Sequence, residues 1–498
     1  MSGAIPLVLE LVPVPEPLDL CTRCSDLPFL LFLDSAADPD HLGRYSFLAA
    51  DPALIIRSKD GRSEQLTAGA GEWRPLDADP LAAVRGLLAP HATNPVPGLP
   101  PFQGGAAGFL GYDWGAGLER IPQPRYDDLG IPDLMLGLYD WVVAWDHQER
   151  RAWLISTGIP EVGPSGARRA ASRLELVRQR ISAASPTRAH GSRAERPPGR
   201  GVAAPSYPLA NLAGTVPAGL RSNFNAAGYL AAVARVVEYI FAGDIFQANL
   251  SQRLQAPLAG PPFALYRRLR GKNPAPFAAY LDFGDLVIAS SSPERFLRVS
   301  PETRLVEARP IKGTRPRGFG PEHDAALGRE LTESDKDRAE NVMIVDLLRN
   351  DLSRVCRPGS VRVPELFALE HYATVHHLVS TVVGELAPEH DTMDLVRAAF
   401  PGGSITGAPK VRAMQIIAEI EPTQRGVYCG SIGYFSITGA LDSSIVIRTY
   451  LVIGREVYFQ VGGGIVADSD PEQEYRETFD KARGLIAALA GAHENETP

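Results

Sequence analysis

The stretch SSIVIRTYLVIGREVYFQVGGGIVADSDPEQEYRETFDKA, residues 443–482, decides the fold class. Two apolar runs rich in β-branched residues flank Gly454, which predicts a β-hairpin with its turn at Gly454 and Arg455. Three glycines, Gly462–Gly464, close the hairpin, and an acidic segment with helical spacing follows them. A pair of neighbouring strands that leads directly into a helix indicates an α+β protein.

The rest of the chain shows the same irregular succession of elements. Residues 1–184 alternate short apolar runs with turn signals, which favours a mostly antiparallel sheet. One example is LYDWVVAWD at 138–146, which together with the following HQERRAWLIST predicts a hairpin. Because strands and helices do not alternate regularly, we expect an α+β architecture and not a doubly wound sheet.

Two elements after residue 224 are predicted in more detail. Residues 226–242 predict a helix with an apolar face formed by Leu230, Val233, Val237 and Ile240. The segment that follows predicts a strand with alternating faces. Its apolar face carries Phe246, Ala248 and Leu250, and its polar face carries Gln247, Asn249 and Ser251.

Composition limits the classes of function. Of the 498 residues, 45% are apolar and 22% are charged, so the chain has ample apolar surface to bury and is not expected to be disordered. With 50 basic and 58 acidic residues the net charge is -8, which is the wrong sign for binding a phosphate backbone. An enzyme acting on small molecules is the default expectation, with no nucleic-acid partner.

The N-terminal region predicts no targeting or membrane segment. Its first charged residue is Glu10, and the apolar run Leu27–Leu33 is too short to span a bilayer. Cys21 and Cys24 form a CxxC pair, while the other two cysteines stand singly and complete no zinc pattern. We therefore expect reduced cysteines and a cytoplasmic location.

The composition also suggests where the chain divides. Its length corresponds to about three average domains as a prior. Residues 185–208 are rich in Pro, Gly, Ser, Ala and Arg without a helical or strand period, which is typical of a mobile linker or surface insert. We predict an N-terminal β-rich part at 1–184, a linker or insert at 185–223, and a C-terminal part at 224–498 that carries the chemistry.

Two acidic helices are predicted, at 333–352 and 470–482. Each places carboxylates three residues apart on one face: Asp337 with Glu340, and Glu474 with Glu477. If the helices face each other, these groups suit Mg²⁺, which takes few protein carboxylates and leaves positions for water and a substrate anion. Each pair alone is more often a solvated helix face, so both interpretations stay open.

Lys312, in RPIKGTRPRG, has two equally weighted interpretations. An apolar neighbour and a glycine suggest a partly buried amine, and burial lowers the pKa of a lysine so that it can act as a nucleophile. The alternative is a surface lysine in a basic loop, because Arg309, Arg315 and Arg317 are close in sequence.

Two glycine-rich segments, PGGSITGAPK (401–410) and VGGGIVAD (461–468), match no P-loop. Their backbone N–H groups could approach a carboxylate, although tight turns are the commoner explanation. Arg448 lies within an apolar run that predicts a strand, where a guanidinium needs a carboxylate from the protein or from a ligand. A dicarboxylate substrate near Mg²⁺ would account for all of these features.

The motifs, taken together and in order, resemble the chorismate-utilising enzymes, which include anthranilate, aminodeoxychorismate, isochorismate and salicylate synthases. They are AGDIFQANLS, SSPERF, PIKGTRPRG, DRAENVMIVDLLRNDL, VHHLVS, FPGGSITGAPK, GSIGYF, ALDSSIVIRT and GGGIVADSDPEQEYRETFDKA. The resemblance is dense from about residue 224 to the C-terminus and weaker through 28–52. It implies the fold of anthranilate synthase: large antiparallel β-sheets layered in a sandwich and surrounded by helices.

Two positions narrow the choice within the family. Anthranilate synthases usually have alanine where this chain has Lys312, whereas PIKGT resembles the large component of the aminodeoxychorismate synthases, which serves folate synthesis through 4-aminobenzoate. Members that use water as the nucleophile usually carry lysine where this chain has Gln247. The resemblance therefore implies amination of chorismate to 4-amino-4-deoxychorismate, with anthranilate synthesis as the alternative.

The resemblance also implies roles for individual residues. Lys312 would attack C2 of chorismate, and Glu294 would protonate the departing C4 hydroxyl. Glu340 and Glu477 would hold Mg²⁺ directly, with Asp337 and Glu474 acting through its waters. The implied substrate contacts are Arg448, Tyr428, Thr406 and the amides of Gly462, Gly463 and Gly464, with Thr314, His377, Lys481 and Gln247 lining the pocket.

Two partners follow from the family pattern. No cysteine lies in the GxCxG motif of a glutamine amidotransferase, so the resemblance implies a separate glutaminase subunit that supplies ammonia. Some members also bind L-tryptophan in the N-terminal region, and others do not, so both outcomes stay open. The matching positions here are Ser35, Leu42, Gly43, Arg44, Tyr45, Pro276, Phe277 and Ala278.

Overall fold

The computed structural model describes five stretches of the chain: residues 6–37, 42–182, 203–209, 217–372 and 375–490. Most of the predicted linker or insert at 185–223 lies outside the described residues, and its boundaries stay predictions. No helix in the described stretches is both long and apolar enough to cross a membrane.

Eleven helices are found in the described residues. They are α1 (Pro17–Arg23), α2 (Pro80–Leu88), α3 (Tyr112–Glu119), α4 (Gly163–Ser182), α5 (Ala226–Phe241), α6 (Pro262–Lys272), α7 (Pro321–Glu333), α8 (Asp335–Ser353), α9 (Thr392–Ala399), α10 (Lys410–Ile420) and α11 (Pro471–Ala490). The predicted helices at 226–242, 333–352 and 470–482 correspond to α5, α8 and α11.

The strands before the insert are β1 (Leu7–Glu10), β2 (Leu30–Asp34), β3 (Tyr45–Ala49), β4 (Leu54–Lys59), β5 (Arg62–Thr67), β6 (Arg74–Leu76), β7 (Gly105–Leu110), β8 (Leu134–Tyr139), β9 (Trp141–Asp146) and β10 (Arg151–Ser156). Those that follow are β11 (Tyr207–Pro208), β12 (Arg221–Ser222), β13 (Gln247–Pro257), β14 (Phe277–Asp282), β15 (Leu286–Ser292), β16 (Arg295–Ser300), β17 (Leu305–Ala308), β18 (Ile311–Pro316), β19 (Arg362–His371), β20 (Val375–Glu385), β21 (Gly407–Ala408), β22 (Ser431–Ser436), β23 (Leu441–Ile445), β24 (Thr449–Ile453) and β25 (Glu456–Ile465).

These strands form two large antiparallel sheets, which confirms the predicted α+β sandwich. The first has 13 strands in the order β1-β10-β9-β3-β2-β14-β15-β24-β25-β13-β12-β11, with β21 also paired to β13. The second has 12 strands in the order β18-β20-β17-β16-β23-β22-β7-β8-β4-β5-β6, with β19 also paired to β20. The predicted hairpins β9–β10 and β24–β25 are both present.

The N-terminal and C-terminal parts of the chain share both sheets. Strand β2 pairs with β14 in the first sheet, and β7 pairs with β22 in the second. An apolar core fills the space between the sheets, and the stacked rings of Phe102 and Tyr434 lie in it with centroids 4.6 Å apart. Helices cover the outer faces, with α6 and α11 against the first sheet and α8 and α9 against the second. Because both parts of the chain contribute strands to the same sheets, the N-terminal strands do not form a separate layer.

The predicted apolar face of α5 is wrong by a rotation of the helix. The buried residues are Tyr229, Ala232, Val233 and Val236, whereas Leu230, Val237 and Ile240 are only half-buried. The helix packs on β13 and β25 through this rotated face.

Strand β13 is buried on both faces, including the predicted polar face that carries Gln247, Asn249 and Ser251. Gln247 and Ser251 are buried, while Phe246, just before the strand, is 73% exposed. Ser251 donates to Oε1 of Glu421 from both its N–H at 2.7 Å and its Oγ at 2.9 Å. The polar face is therefore stabilised by internal hydrogen bonds and not by water.

Arg448 lies between β23 and β24, not inside a strand as its neighbours predict. Its φ is 51°, in the left-handed region, and the chain crosses there from the second sheet to the first. Glu294 lies at a similar crossing, between β15 of the first sheet and β16 of the second. The two crossings are joined, because Ser291 N–H donates to the Arg448 carbonyl at 3.1 Å and Ile445 N–H donates to the Glu294 carbonyl at 3.0 Å. The polar residues Arg448 and Glu294 therefore both lie where strands end and the chain passes from one sheet to the other.

Candidate active site

Lys312 lies in the edge strand β18 with only 12% of its side chain exposed. Burial lowers its pKa, although the Glu340 carboxylate, with Oε2 at 3.9 Å from Nζ, acts in the opposite direction. The neighbouring arginines are occupied elsewhere: Arg315 pairs with Glu330 at 2.7 Å and Arg317 pairs with Asp324 at 2.7 Å. The partly buried amine is therefore the correct interpretation of Lys312.

Glu294 is a buried carboxyl that can hold a proton near neutral pH. Only 4% of the residue is exposed, and burial raises its pKa to about 7 against opposing contributions from Ser404 and Lys312. The Ser404 Oγ donates to Oε1 at 2.6 Å, and the Ile311 backbone N–H also donates to the carboxyl. A carboxyl of this kind suits general-acid chemistry.

The carboxylates of α11 lie against the glycines of β25. A Cβ on Gly463 would lie 3.3 Å from Oε2 of Glu474 and 3.4 Å from both Oε1 of Glu477 and Nζ of Lys481. Lys481 pairs with Glu477 at 2.6 Å and donates to the Gly462 carbonyl at 2.9 Å. Glycine at 463 thus allows the acidic helix to approach the strand closely.

Ionisation in this cluster depends on the nearby amines. Burial raises the pKa of Glu340 and of Glu474. For Glu477, burial acts the same way but the adjacent Lys481 outweighs it, so the pKa of Glu477 is lowered. The Asp337 carboxylate is held by Arg315 at 3.1 Å.

The four carboxylates of Asp337, Glu340, Glu474 and Glu477 are not arranged around a single point. Among the described residues, no group of three or more His, Cys, Asp or Glu side chains is already gathered around a metal position. Glu340 and Glu477 are instead paired with amines, Lys312 and Lys481 respectively. The oxygen donors and the charge suit Mg²⁺, and its binding requires the amines to yield these oxygens.

Gln247 and Gly464 are in direct steric contact at the rim of this cluster. A Cβ on Gly464 would lie 1.9 Å from Nε2 of Gln247, so any side chain at 464 would displace the Gln247 amide. Nε2 of Gln247 donates to Oε2 of Glu340 at 3.3 Å, and its Oε1 is buried with no hydrogen-bond partner among the described residues. Near the candidate nucleophile, this buried oxygen of Gln247 can accept a hydrogen bond from a ligand.

His377, Thr314 and Arg448 form the other side of the site. Nδ1 of His377 and Oγ1 of Thr314 are 2.9 Å apart, while Nε2 of His377 is buried and has no hydrogen-bond partner in the part of the chain that the structure describes. Burial, reinforced by the Arg448 charge, lowers the pKa of His377 to about 3, so the imidazole is neutral. Arg448 has no ion pair to a carboxylate in the described part of the chain, which leaves its guanidinium for an anionic ligand.

Thr406 and Tyr428 are two further predicted substrate contacts. Thr406 is fully buried and its Oγ1 donates to the Gly402 carbonyl at 3.0 Å, so the backbone already uses this hydroxyl. Burial raises the pKa of the Tyr428 phenol, and the ring lies 5.8 Å from the Arg425 guanidinium carbon. Ser404 is the group that sequence reasoning missed, because a serine in a glycine-rich segment is more simply explained as a turn residue.

A separate cavity of about 280 Å³ lies between the sheets. Seven of the eight predicted tryptophan-pocket positions line it, and Gly43 does not: the seven are Ser35, Leu42, Arg44, Tyr45, Pro276, Phe277 and Ala278. Arg295, Arg298 and Tyr434 complete much of the wall. Ser35 helps to shape it, since its Oγ donates to the Tyr45 carbonyl at 2.5 Å.

The sequence and the fold were compared with known proteins. A family model described as chorismate binding enzyme matches residues 32–487. The chain is 42% identical over 467 residues to aminodeoxychorismate synthase component 1 of Salmonella typhimurium, covering 93% of this chain and 94% of that protein. It is 40% identical over 481 residues to anthranilate synthase component 1 of Thermus thermophilus, covering 96% of each. The crystal structure of anthranilate synthase component I from Streptococcus pneumoniae superposes with a TM-score of 0.74 at 32% identity, covering 89% of this chain and 92% of that one.

Proposed function

The chain belongs to the chorismate-binding enzymes, and on this premise we propose that it is the chorismate-aminating component of an aminodeoxychorismate synthase. The observation that carries the proposal is Lys312: a nearly buried lysine whose pKa is lowered by burial, close to the proton-holding carboxyl of Glu294. Relatives that make anthranilate are about equally similar in sequence, so overall similarity does not choose the product. The amine at position 312 supports 4-amino-4-deoxychorismate, a precursor of 4-aminobenzoate and folate.

In the proposed reaction, the neutral amine of Lys312 forms a bond to C2 of chorismate. Both ring double bonds shift, and the C4–O bond breaks as Glu294 gives its proton to the oxygen, which leaves as water. Ammonia then forms a bond at C4, both double bonds shift back, and the C2–N bond breaks to release the Lys312 amine. The nitrogen at C4 gives up one proton, which restores the acid form of Glu294. The overall change replaces the C4 hydroxyl by an amino group. The pKa of Lys312 is lowered and that of Glu294 is raised, which favours the two starting protonation states.

The anionic substrate would be bound by groups that lack protein partners. Arg448 supplies a guanidinium for one carboxylate, and Nε2 of His377 can donate from the neutral ring. Gln247 occupies the position where a lysine would activate water, so ammonia is the proposed nucleophile. Glycines at 462–464 keep the backbone accessible to the ligand.

We further propose that Mg²⁺ is the cofactor. Glu340 and Glu477 would hold it directly, and Asp337 and Glu474 through water. When bound, the ion would neutralise a substrate carboxylate. The chain would position the amine and the acid, and Lys312 and Lys481, which are now paired with Glu340 and Glu477, would release these carboxylates to the ion.

The ammonia source is proposed to be a separate glutamine amidotransferase subunit. All four cysteines of this chain are free and buried. Burial raises the pKa of the Cys24 and Cys429 thiols to about 12 and that of the Cys356 thiol to about 11, and it raises the pKa of Cys21 as well. A thiol in this state is a poor nucleophile for glutamine hydrolysis. The relatives named component 1 are consistent with a second component.

The product assay is the test of the proposed function. The purified chain is incubated with chorismate, Mg²⁺ and ammonium, and the products are separated and identified by mass. We expect 4-amino-4-deoxychorismate with no release of pyruvate. Anthranilate together with pyruvate would instead assign the chain to anthranilate synthesis, the alternative considered above.

A non-catalytic homologue that only binds a ligand or supports a glutaminase is the remaining alternative. It predicts that calorimetry finds no Mg²⁺-dependent binding of chorismate. The assembled acid, amine and guanidinium groups argue against this alternative.

A further inference from the structure

Ser404 lies on the short helical turn Gly403–Ile405, between α9 and β21. Its Oγ donates to Oε1 of Glu294 at 2.6 Å, although the two residues are 110 positions apart in the chain. A 2.6 Å O–H···O contact is within the range of charge-assisted hydrogen bonds. The contact therefore acts on the ionised group itself and not only on the packing around it.

The turn that carries Ser404 is held from several sides. The Thr406 carbonyl accepts from the Asn249 N–H at 2.8 Å, and the Ile405 carbonyl accepts from Nη1 of Arg425 at 3.1 Å. A Cβ at Gly402 would lie 2.7 Å from Cδ1 of Ile445, so the turn also approaches the sheet crossing closely. A hydroxyl on such a braced turn is a fixed donor.

We propose that Ser404 is a positioning residue for Glu294, whose hydroxyl holds Oε1 as the acceptor oxygen so that the acid proton resides on Oε2. Two donors, Ser404 Oγ–H and the Ile311 N–H, compete with the proton for the lone pairs of this carboxyl. A protonated carboxyl keeps one acceptor oxygen and one hydroxyl. The assignment rests on the proposed role of Glu294 as general acid.

The charged and titratable groups that face Glu294 come from three other elements. Lys312 approaches from β18 and Arg448 from the crossing between β23 and β24, and both stabilise the carboxylate. The buried Cys429 thiol lies on the segment before β22. None of these groups donates a side-chain hydrogen bond to Glu294 in the described residues, so Ser404 is the side chain whose removal alters its hydrogen bonding.

The test is a pH titration of the full-length chain by infrared difference spectroscopy. A protonated carboxyl group absorbs at a different infrared frequency from a carboxylate. The band that is lost in the Glu294→Gln variant is assigned to Glu294. Ser404→Ala removes a donor to the ionised form, so the midpoint should rise by on the order of one pH unit. Ser404→Thr keeps a hydroxyl and should titrate like the wild type. Ser404→Cys carries a weaker donor, so its titration midpoint should shift in the same direction as that of Ser404→Ala. This variant serves as the test if Ser404→Ala does not fold.

Ser292→Ala is the matched control. The Ser292 Oγ donates to the Ile445 carbonyl at 2.5 Å and accepts from the Glu294 backbone N–H at 3.4 Å, but among the described residues it makes no hydrogen bond to the Glu294 carboxyl. Its midpoint should stay at the wild-type value. A wild-type midpoint in Ser404→Ala, or an equal shift in Ser292→Ala, would overturn the assignment.

Turnover provides a second readout. With ammonium as nitrogen donor, Ser404→Ala should lower kcat roughly tenfold and leave KM for chorismate within about twofold, because a positioning residue does not bind the substrate. If the wild-type chain does not aminate chorismate, the proposed function fails, while the infrared titration still decides the role of Ser404. An unchanged kcat together with a shifted midpoint would limit Ser404 to tuning the pKa and contradict positioning.

Discussion

Nζ of Lys312 and Oε2 of Glu340 lie 3.9 Å apart, although they come from an edge strand and a helix. Burial lowers the pKa of Lys312, and the Glu340 carboxylate opposes this effect. Any group that draws Glu340 away, such as a bound cation, removes this opposition. The pair thereby links the candidate nucleophile to the proposed metal site.

The first prediction concerns Lys312→Ala. Without the amine no covalent intermediate can form, so we expect ammonia-dependent synthesis of aminodeoxychorismate to fall by at least about 100-fold. Intact-protein mass spectrometry after acid quenching should show a chorismate-derived adduct on the wild type and none on the variant. Lys336→Ala is the control, since Lys336 is 49% exposed and lies 4.0 Å from Asp468. Synthesis at the full wild-type rate by Lys312→Ala would contradict covalent catalysis.

The second prediction is a pH dependence of stability due to Glu294. Its folded-state pKa is about 7 and its ordinary value is 4.5. Between these values the folded chain holds a proton that the unfolded chain releases, so stability falls as pH rises from 4.5 to about 7, by about 3 kcal/mol at most. Glu294→Gln should therefore raise Tm relative to wild type at pH about 8 and give little gain at pH about 5.

Thermal unfolding followed by circular dichroism at the two pH values checks this prediction. His377 contributes with the opposite sign, because its folded pKa of about 3 lies below its ordinary value of 6.5. Its effect is present in both proteins and cancels in the difference between them. An equal change in Tm at both pH values would show that Glu294 does not titrate in this window.

The third prediction concerns Gly464→Ala. The new Cβ would overlap Nε2 of Gln247, which must move and lose its hydrogen bond to Glu340. The clash involves the end of a flexible side chain, so we expect a stability loss of about 1 kcal/mol and a decrease in kcat/KM of roughly tenfold. Gly271→Ala is the control, because a Cβ there meets nothing within 4 Å. Equal kinetics for the two variants would mean that the Gln247 contact is unimportant.

The fourth prediction concerns metal binding by Glu477. Isothermal titration of the chain with Mg²⁺ should give at least about tenfold weaker binding for Glu477→Gln, because a proposed direct ligand is lost. Glu472→Gln changes the same helix on an exposed face, where Glu472 pairs with Arg476 at 3.0 Å, and should bind as the wild type does. Equal affinities for all three proteins would remove Glu477 from the proposed metal site.

The fifth prediction concerns the cavity between the sheets. If it binds L-tryptophan, calorimetry should detect binding to the wild type, and Ala278→Leu should weaken that binding by at least about tenfold because the added carbons enter a volume of about 280 Å³. Turnover should be retained, since the cavity is lined by none of the proposed catalytic groups. Undiminished tryptophan affinity in Ala278→Leu would place any tryptophan site elsewhere.

The local elements could be predicted from the sequence because each depends on neighbouring residues. The hairpin turn at Gly454 and the helices that carry Glu340 and Glu477 are correctly predicted from periodicity. The order of the motifs also identified the family, and Lys312 and Glu294 were both named from them. The elements follow from the spacing of the side chains, whereas the family and these two residues follow from the resemblance of the motifs.

The faces and partners of those elements could not be predicted in the same way. The helix α5 buries a face that is rotated from the predicted one. The polar face of β13 is buried because a strand in a two-layer structure is covered on both sides. Arg448 lies at a crossing between sheets, where its backbone adopts a conformation that no strand pattern indicates. Tertiary packing, and not the hydrophobic pattern of the local sequence, decided which faces of α5 and β13 are buried and where Arg448 lies.

By itself, the sequence determined the α+β class, the family, the acidic helices and the residue types able to attack, protonate and bind. Only the tertiary structure decided that Lys312 is desolvated, that Glu294 can keep a proton near neutral pH, and that Ser404 is hydrogen-bonded to it. The physical reason is that pKa values depend on burial and on charges within a few ångströms. Such neighbours can be distant in the sequence, as are Ser404 and Glu294, which are 110 positions apart.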